Sequence, residues 1–415
     1  MLGEGVVRYA LSWIGLASKD DQKAEIARQH GLLANATTYQ AWLTAAEKLD
    51  ELEGVGEWKK DPTSPYYDAR LIQERLAEMK RLQADGDIAS MVFMLRSGLQ
   101  RNLGGIGNHM LHDYSHVGTK LLIEEHQREL IRMLLRVCHC CDSELSLEKK
   151  LAFFTESRHA LGKTALLLSG GASLGMYHFG VLKTLFQHEL LPRIISGSSA
   201  GAIVAGIIAV RTSEELELLF SGDIETIRRA IRLEFFDPIG SLERKLRRIL
   251  KTGHLMDVKK LQRALIDNMG DVTFHEAYER TGRIVNITVS PGNDYEKPRL
   301  LNYLTAPNVL VWSAASASCA LPGLYEPVEL FAKNARGVKV PYHMSNVKWT
   351  DGSLQSDLPM NRLQELFNVN YFIVSQTNPH AIPFVQRAQR HAVRRQVPLP
   401  LPPPAHVIQR HAVRR

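Results

Sequence analysis

Disulfide chemistry is nearly absent from this chain. Its 415 residues hold four cysteines, Cys138, Cys140, Cys141 and Cys319, too few to staple a chain that is long enough to bury a core unaided. A reducing compartment fits that usage. Long apolar runs are missing too. No stretch reaches the ~20 apolar residues of a membrane-spanning helix. The N-terminal run 2–17 is apolar but carries Glu4 and Arg8, without the basic start and small-residue cleavage site of a signal peptide. Net charge is scarce in the body of the chain. The overall value is +7, but seven arginines (Arg387, Arg390, Arg394, Arg395, Arg410, Arg414 and Arg415) and no acid fall in 386–415, and taking seven from 51 leaves 44 basic residues against 44 acidic ones. A neutral body excludes the broad basic face that binds polyphosphate, and nucleic acid is not an expected partner.

The basic tail repeats Gln-Arg-His-Ala-Val-Arg-Arg at 389–395 and 409–415 around a proline-rich stretch. It reads as a disordered segment, 386–415, either a functional basic arm or a coding artefact. At the other end, 1–19 can form an amphipathic segment on a membrane surface or a helix packed on its own domain.

Between these ends two patterns follow one another. Residues 20–150 place apolar side chains three and four apart over 39–52, 66–82 and 88–99, which predicts an all-α N-terminal domain. The loop 103–108 is glycine-rich but follows no apolar strand, so it reads as a helix connection. Cys138-His139-Cys140-Cys141 packs four candidate ligands too closely for one tetrahedral ion, and buried thiols at a helix end are expected instead. No metal site is expected.

From 164 the pattern changes. The continuous apolar run 164–169 reads as a buried parallel strand ending in Gly170-Gly171. A helix follows over 176–188, then a strand over 193–196, Gly197-Ser198-Ser199-Ala200-Gly201, and an apolar helix over 202–210. Strand candidates recur at 284–289 and 371–375. This alternation predicts an α/β domain over 164–385 with a mainly parallel sheet covered on both faces.

Gly197-Ser198-Ser199-Ala200-Gly201 is G-x-S-x-G in a strand-to-helix context, which holds a central serine in a strained turn with its hydroxyl exposed. The upstream Gly170-Gly171-Ala172-Ser173-Leu174-Gly175 turn can direct backbone N–H groups at the oxygen of a tetrahedral intermediate. A nucleotide loop would want glycine at 172 and an acid ending the next strand.

Ser169 to Lys183, the elbow at Ser199 and Trp349-Thr350-Asp351-Gly352-Ser353 together resemble, in order and spacing, the three blocks of patatin-like lipases. The helical region, with Trp58-Lys59, Tyr66-Tyr67 and His112-Asp113-Tyr114, resembles the N-terminal domain of the triacylglycerol lipases of plant and fungal storage-lipid breakdown. The resemblance implies a three-layer α/β/α sandwich and a Ser-Asp dyad without cofactor, with Ser199 as nucleophile and Asp351 as base. It also implies an oxyanion hole from the amides of Gly170, Gly171 and Ala172, with Gly175 and Gly352 as motif glycines. Expected partners are triacylglycerol and other acyl lipids at a lipid-droplet or membrane surface inside the cell, with phospholipase or lysolipid acyltransferase side activity. Ala172 departs from the family's third loop glycine and is tolerable if its backbone stays in the ordinary region. Leu174 replaces a basic residue often found there.

A basic segment at 241–251 has Leu242, Leu246, Ile249 and Leu250 on one helical face and fits either an anionic lipid surface or a solvated helix. Two rival functions stay open: an α/β-hydrolase with a Ser199, Asp351 and His380 triad, for which the chain order is right, and a lipid-surface scaffold without catalysis.

Overall fold

A computed structural model describes residues 18–222, 254, 256–292, 297–342, 348–351 and 357–378. The run 2–17, the basic segment 241–251, Gly352, His380 and the tail 386–415 lie outside the described residues. The chain divides into two compact units between Leu161 and Gly162.

The first unit is helical: α1 (Ser18–Ala34), α2 (Tyr39–Leu52), α3 (Val55–Lys60), α4 (Ala69–Asp85), α5 (Ile88–Gly98), α6 (Leu121–His139) and α7 (Leu147–Leu161). Local chemistry sets the boundaries. Asp68 caps the Leu71 amide, so α4 starts at Ala69 rather than at the periodic Tyr66, and it runs on to a left-handed Gly86. Asp87 caps α5 directly afterwards. The apolar faces of α4 to α7 meet in one cluster that includes Met79, Met91, Met133 and Phe153. The glycine-rich loop is a helix connection whose Gly104 carbonyl accepts the Asp68 N–H at 2.7 Å. The cysteine cluster departs from expectation: Cys138, in the last turn of α6, is exposed, Cys140 at the extended cap is buried, and Cys141 beyond it is exposed.

The second unit contains β1 (Lys163–Leu168), α8 (His178–Gln187), β2 (Ile194–Gly197), α9 (Ala200–Ala209), α10 (Ser213–Ser221), α11 (Val258–Met269), α12 (Phe274–Thr281), β3 (Ile284–Pro291), β4 (Arg299–Leu301), α13 (Val311–Ser318), β5 (Phe331–Lys333), β6 (Lys339–Pro341), β7 (Trp349–Asp351), α14 (Met360–Phe367) and β8 (Val369–Ser375). The main sheet runs β4-β3-β2-β1-β8, with β7 also on β3. Strands β8, β1, β2 and β3 are mutually parallel, while β4 and β7 run antiparallel to β3.

Alternation along β1 makes the sheet two-faced. Leu166 and Leu168 join a core with α9, α11 and α13, whereas Ala165 and Leu167 join Leu363 and Phe367 of α14 on the other side. Helices therefore cover both faces, giving three layers. Helix α9 is buried at every position, which explains a sequence apolar all round.

The register places β7. Ile287 of β3 pairs with Gly197 of β2 and with Leu301 of β4, and Val289 pairs with Arg299 of β4 and with Asp351 of β7. A strand residue has two edges, so β7 occupies the β2 edge, just past the point where β2 ends. Asp351 thus sits in line with the turn that leaves Gly197.

Candidate active site at the carboxyl ends of the strands

Strand β2 stops at Gly197 and α9 starts at Ala200, leaving Ser198 and Ser199 to reverse the chain. Ser199 adopts φ 52° and ψ −122°, a region that costs an L-residue about 1–3 kcal/mol and survives only under outside constraint. The constraints are visible. The Ser199 N–H donates to Ser318 Oγ at 2.9 Å, and Ser318 Oγ donates to the Thr288 carbonyl on β3 at 2.7 Å. The Ser198 N–H reaches the Leu168 carbonyl at 3.2 Å. A Cβ on Gly197 would overlap the Gly201 carbonyl, and one on Gly201 would overlap the Leu168 carbonyl, so neither position admits a side chain. Ser199 is half-buried, with the positive end of α9 behind it.

Asp351 is 3% exposed, and its N–H donates to the Ala320 carbonyl at 3.0 Å. Between Ser318 and Ala320 lies Cys319. Burial pushes its thiol well above the ordinary range, the Asp351 charge adds to the rise, and a hydrogen bond with the Ser199 side chain opposes it. The thiol therefore lies near both the Ser199 side chain and the Asp351 carboxylate. Held in the protonated state, Cys319 is an unreactive thiol.

The third wall is the turn after β1. Gly170 is held at both ends of its peptide units. Its N–H donates to Asp357 Oδ1 at 2.9 Å, and its carbonyl accepts from Thr377 Oγ1 at 2.9 Å and Ser169 Oγ at 2.8 Å. Gly171 is half-buried and Ala172 exposed. Ala172 takes φ 50°, so the expectation of an ordinary backbone is overturned: the chain enters a left-handed position here without the family's glycine, at a cost of about 1–2 kcal/mol. Gly175 is buried in the 3-10 turn that follows.

Below the turn lies a buried histidine. His178 Nδ1 is 2.7 Å from Ser375 Oγ, and Nε2 is 3.0 Å from the Ser169 carbonyl. Desolvation lowers its pKa, against smaller upward pulls from the Ser169 hydrogen bond and Asp357, so it serves as a neutral brace. Sequence reasoning missed His178, Thr288, Ser318, Cys319, Asp357, Thr377 and Asn378. The Asp-Leu-Pro after the Asp351 block was the one available signal for Asp357. Among the described residues, no group of His, Cys, Asp and Glu is arranged to hold a metal ion, and no helix is long and apolar enough to cross a membrane.

A family model described as patatin-like phospholipase matches residues 166–363, and one described as a domain of unknown function (DUF3336) matches 18–159. The chain is 43% identical to triacylglycerol lipase SDP1L of Arabidopsis thaliana over 88% of its own length and 46% of the relative's. It is 42% identical to triacylglycerol lipase 4 of Saccharomyces cerevisiae over 85% and 39%. With triacylglycerol lipase ptl3 of Schizosaccharomyces pombe it shares 40% identity over 86% and 74%. The chain spans less than half the length of the first two of these curated relatives.

Proposed function

The chain belongs to the patatin-like phospholipase family, and from that premise we propose that it is a serine acyl-ester hydrolase that releases fatty acids from triacylglycerol through a Ser199–Asp351 dyad. The observation that supports the reading is a strained, half-buried Ser199 just past β2, with Asp351 buried on β7, the strand that pairs with the same edge of β3. In this reading Ser199 Oγ attacks the ester carbonyl while Asp351 accepts its proton. The amides of Gly171 and Ala172 donate to the oxyanion, each worth about 3–4 kcal/mol in the transition state. Collapse expels the alcohol, which takes the proton back from Asp351. Water then attacks the acyl-serine by the same route.

A carboxylate with an ordinary pKa of about 3.9 would have to be made competent as a base by desolvation in the cleft. Acyl lipids would be met at a droplet or membrane surface, where 2–17 and 241–251 are the candidate contacts. Residues 20–150 would form the helical N-terminal domain and 164–385 the catalytic one. An alcohol in place of water would give acyltransferase side activity.

The deciding assay compares fatty-acid release from triolein emulsion and from phosphatidylcholine vesicles by wild type, Ser199→Ala and Asp351→Asn, each checked for folding by circular dichroism. Both variants should fall at least about 10³-fold, and triolein should be the better substrate. Substantial turnover by folded Ser199→Ala would remove the nucleophile. Preference for the vesicles would move the substrate to phospholipid.

A further inference from the structure

Asp357 joins three parts of the site that are far apart in sequence. Its Oδ1 accepts the Gly170 N–H at 2.9 Å, and its Oδ2 accepts Asn378 Nδ2 at 2.7 Å. Its backbone carbonyl accepts Ser198 Oγ at 2.9 Å. The strand carrying Asp351 ends six positions upstream. One residue therefore ties together the turn after β1, the elbow, the segment after β8 and the chain leaving the base.

The contact at Gly170 has a directional consequence. A peptide N–H donates one strong hydrogen bond, so the Gly170 amide is committed to the carboxylate. Thr377 and Ser169 fix the carbonyl at the other end of the same residue, and the turn continues through Gly171 at φ 151° and Ala172 at φ 50°. The orientation of the next two amides follows from how Gly170 is pinned. Resting on the serine-hydrolase reading, we propose that Asp357 is a positioning residue: it sets which amides of the 170–172 turn face the ester and holds that turn at a fixed separation from Ser199.

A carboxylate suits this place because it accepts on both oxygens. An asparagine would present one acceptor and one donor, so with Asn378 held in its present orientation either the Gly170 N–H or the Asn378 amide would meet another donor. Exchanging the two side chains restores the match. The amide brought to position 357 would accept from the Gly170 N–H through its oxygen and donate through its nitrogen to the carboxylate brought to position 378.

The experiment is p-nitrophenyl butyrate hydrolysis by the full chain, comparing wild type, Ser199→Ala, Asp357→Asn, Asn378→Asp and the double exchange, with thermal unfolding recorded for each. Asp357→Asn should lower kcat roughly 10- to 100-fold, the loss expected for a misplaced charged hydrogen bond, with KM nearly unchanged. Asn378→Asp, which sets two carboxylates against each other, should also be impaired. The double exchange should recover most of kcat, and a role confined to charge or to general stability does not predict that recovery. Wild-type kcat in folded Asp357→Asn, or a double exchange no better than the worse single variant, overturns the assignment. If Asp357→Asn does not fold, Asn378→Ala is the second probe: a several-fold loss of kcat supports the clamp, and an unchanged kcat overturns it. Equal rates in wild type and Ser199→Ala would instead discard the serine-hydrolase reading and the assignment with it. Ser199-dependent turnover indifferent to Asp357 discards the assignment alone.

Discussion

In the helical unit, the buried polar side chains around the connection before α6 bond mainly to backbone. Lys120, 1% exposed, donates to the Trp58 and Asp61 carbonyls at 2.7 and 2.8 Å and lies 4.3 Å over the Trp58 ring. Asp50 accepts the His116 and Val117 amides and the Lys59 ammonium. Thr119 closes on the Leu111 carbonyl. The Lys120, His116 and Val117 contacts fasten the long connection before α6 to the α2–α3 segment, Thr119 closes the connection on itself, and the contacts are spread along it. In the α/β unit, Ser169, His178, Ser198, Ser318, Asp357 and Thr377 instead brace two turns at the carboxyl ends of β1 and β2. Polar burial is costly in both places unless it is satisfied. Spread out, it builds architecture; gathered around one strained residue, it builds a site.

That contrast can be broken most sharply at Lys120. Lys120→Met takes the donor from the Trp58 and Asp61 carbonyls and should cost about 2–3 kcal/mol of stability, while the esterase rate per folded molecule stays at the wild-type level. A variant as stable as wild type would show that the buried lysine is dispensable to the fold. On the other side, Ser318→Ala strands the Ser199 N–H. It should lower kcat roughly tenfold with a much smaller change in KM, and unchanged kcat would mean that the elbow holds its geometry without that anchor.

Smaller effects sharpen the picture. Ala172→Gly removes a left-handed alanine and should raise stability by roughly 0.5–1 kcal/mol, the backbone gain exceeding the entropy glycine adds to the unfolded chain. A lower melting temperature would contradict the strained conformation. The smallest expected effect is a slope with pH. Burial lowers the pKa of His126 in the helical unit and of His178 in the α/β unit. Below about pH 6.5 the unfolded chain takes up protons there that the folded chain does not, so stability should fall as acid is added. His126 Nδ1 has no partner among the described residues, which makes His126→Leu a clean probe. Thermal unfolding from pH 7 to 5.5 should show a shallower decline in that variant, and an identical slope would rule His126 out as its source.

The parts legible in the sequence were those written in consecutive residues. Strand β1 ends in an apolar run, α2 shows its period over its observed length, and G-x-S-x-G needs five positions. Helix ends were less legible, because a cap such as Asp68 outweighs periodicity at the first turn. The three-residue strands β4 and β7 carry too few positions to show alternation. The bracing of the site was invisible for a different reason: Ser199 meets Ser318 across 119 positions, and Asp357 meets Ser198 across 159 and Gly170 across 187. Nothing local to Ser318 or Asp357 names those distant partners. Ala172 was legible as a departure, but its left-handed conformation follows from the pinning of Gly170 and not from its own chemistry.

The state of Cys319 gives the two units separate chemical handles. Alkylating reagents consume thiolate, so at neutral pH they will mark exposed Cys138 and Cys141 and pass over the buried thiol beside the serine. On the proposed serine-hydrolase reading, an activated phosphonate has the opposite preference and seeks the Ser199 hydroxyl. A maleimide dye and a fluorescent phosphonate can therefore be installed one after the other on wild-type protein, one reporter in each unit, and local unfolding of either can be followed without engineering a cysteine.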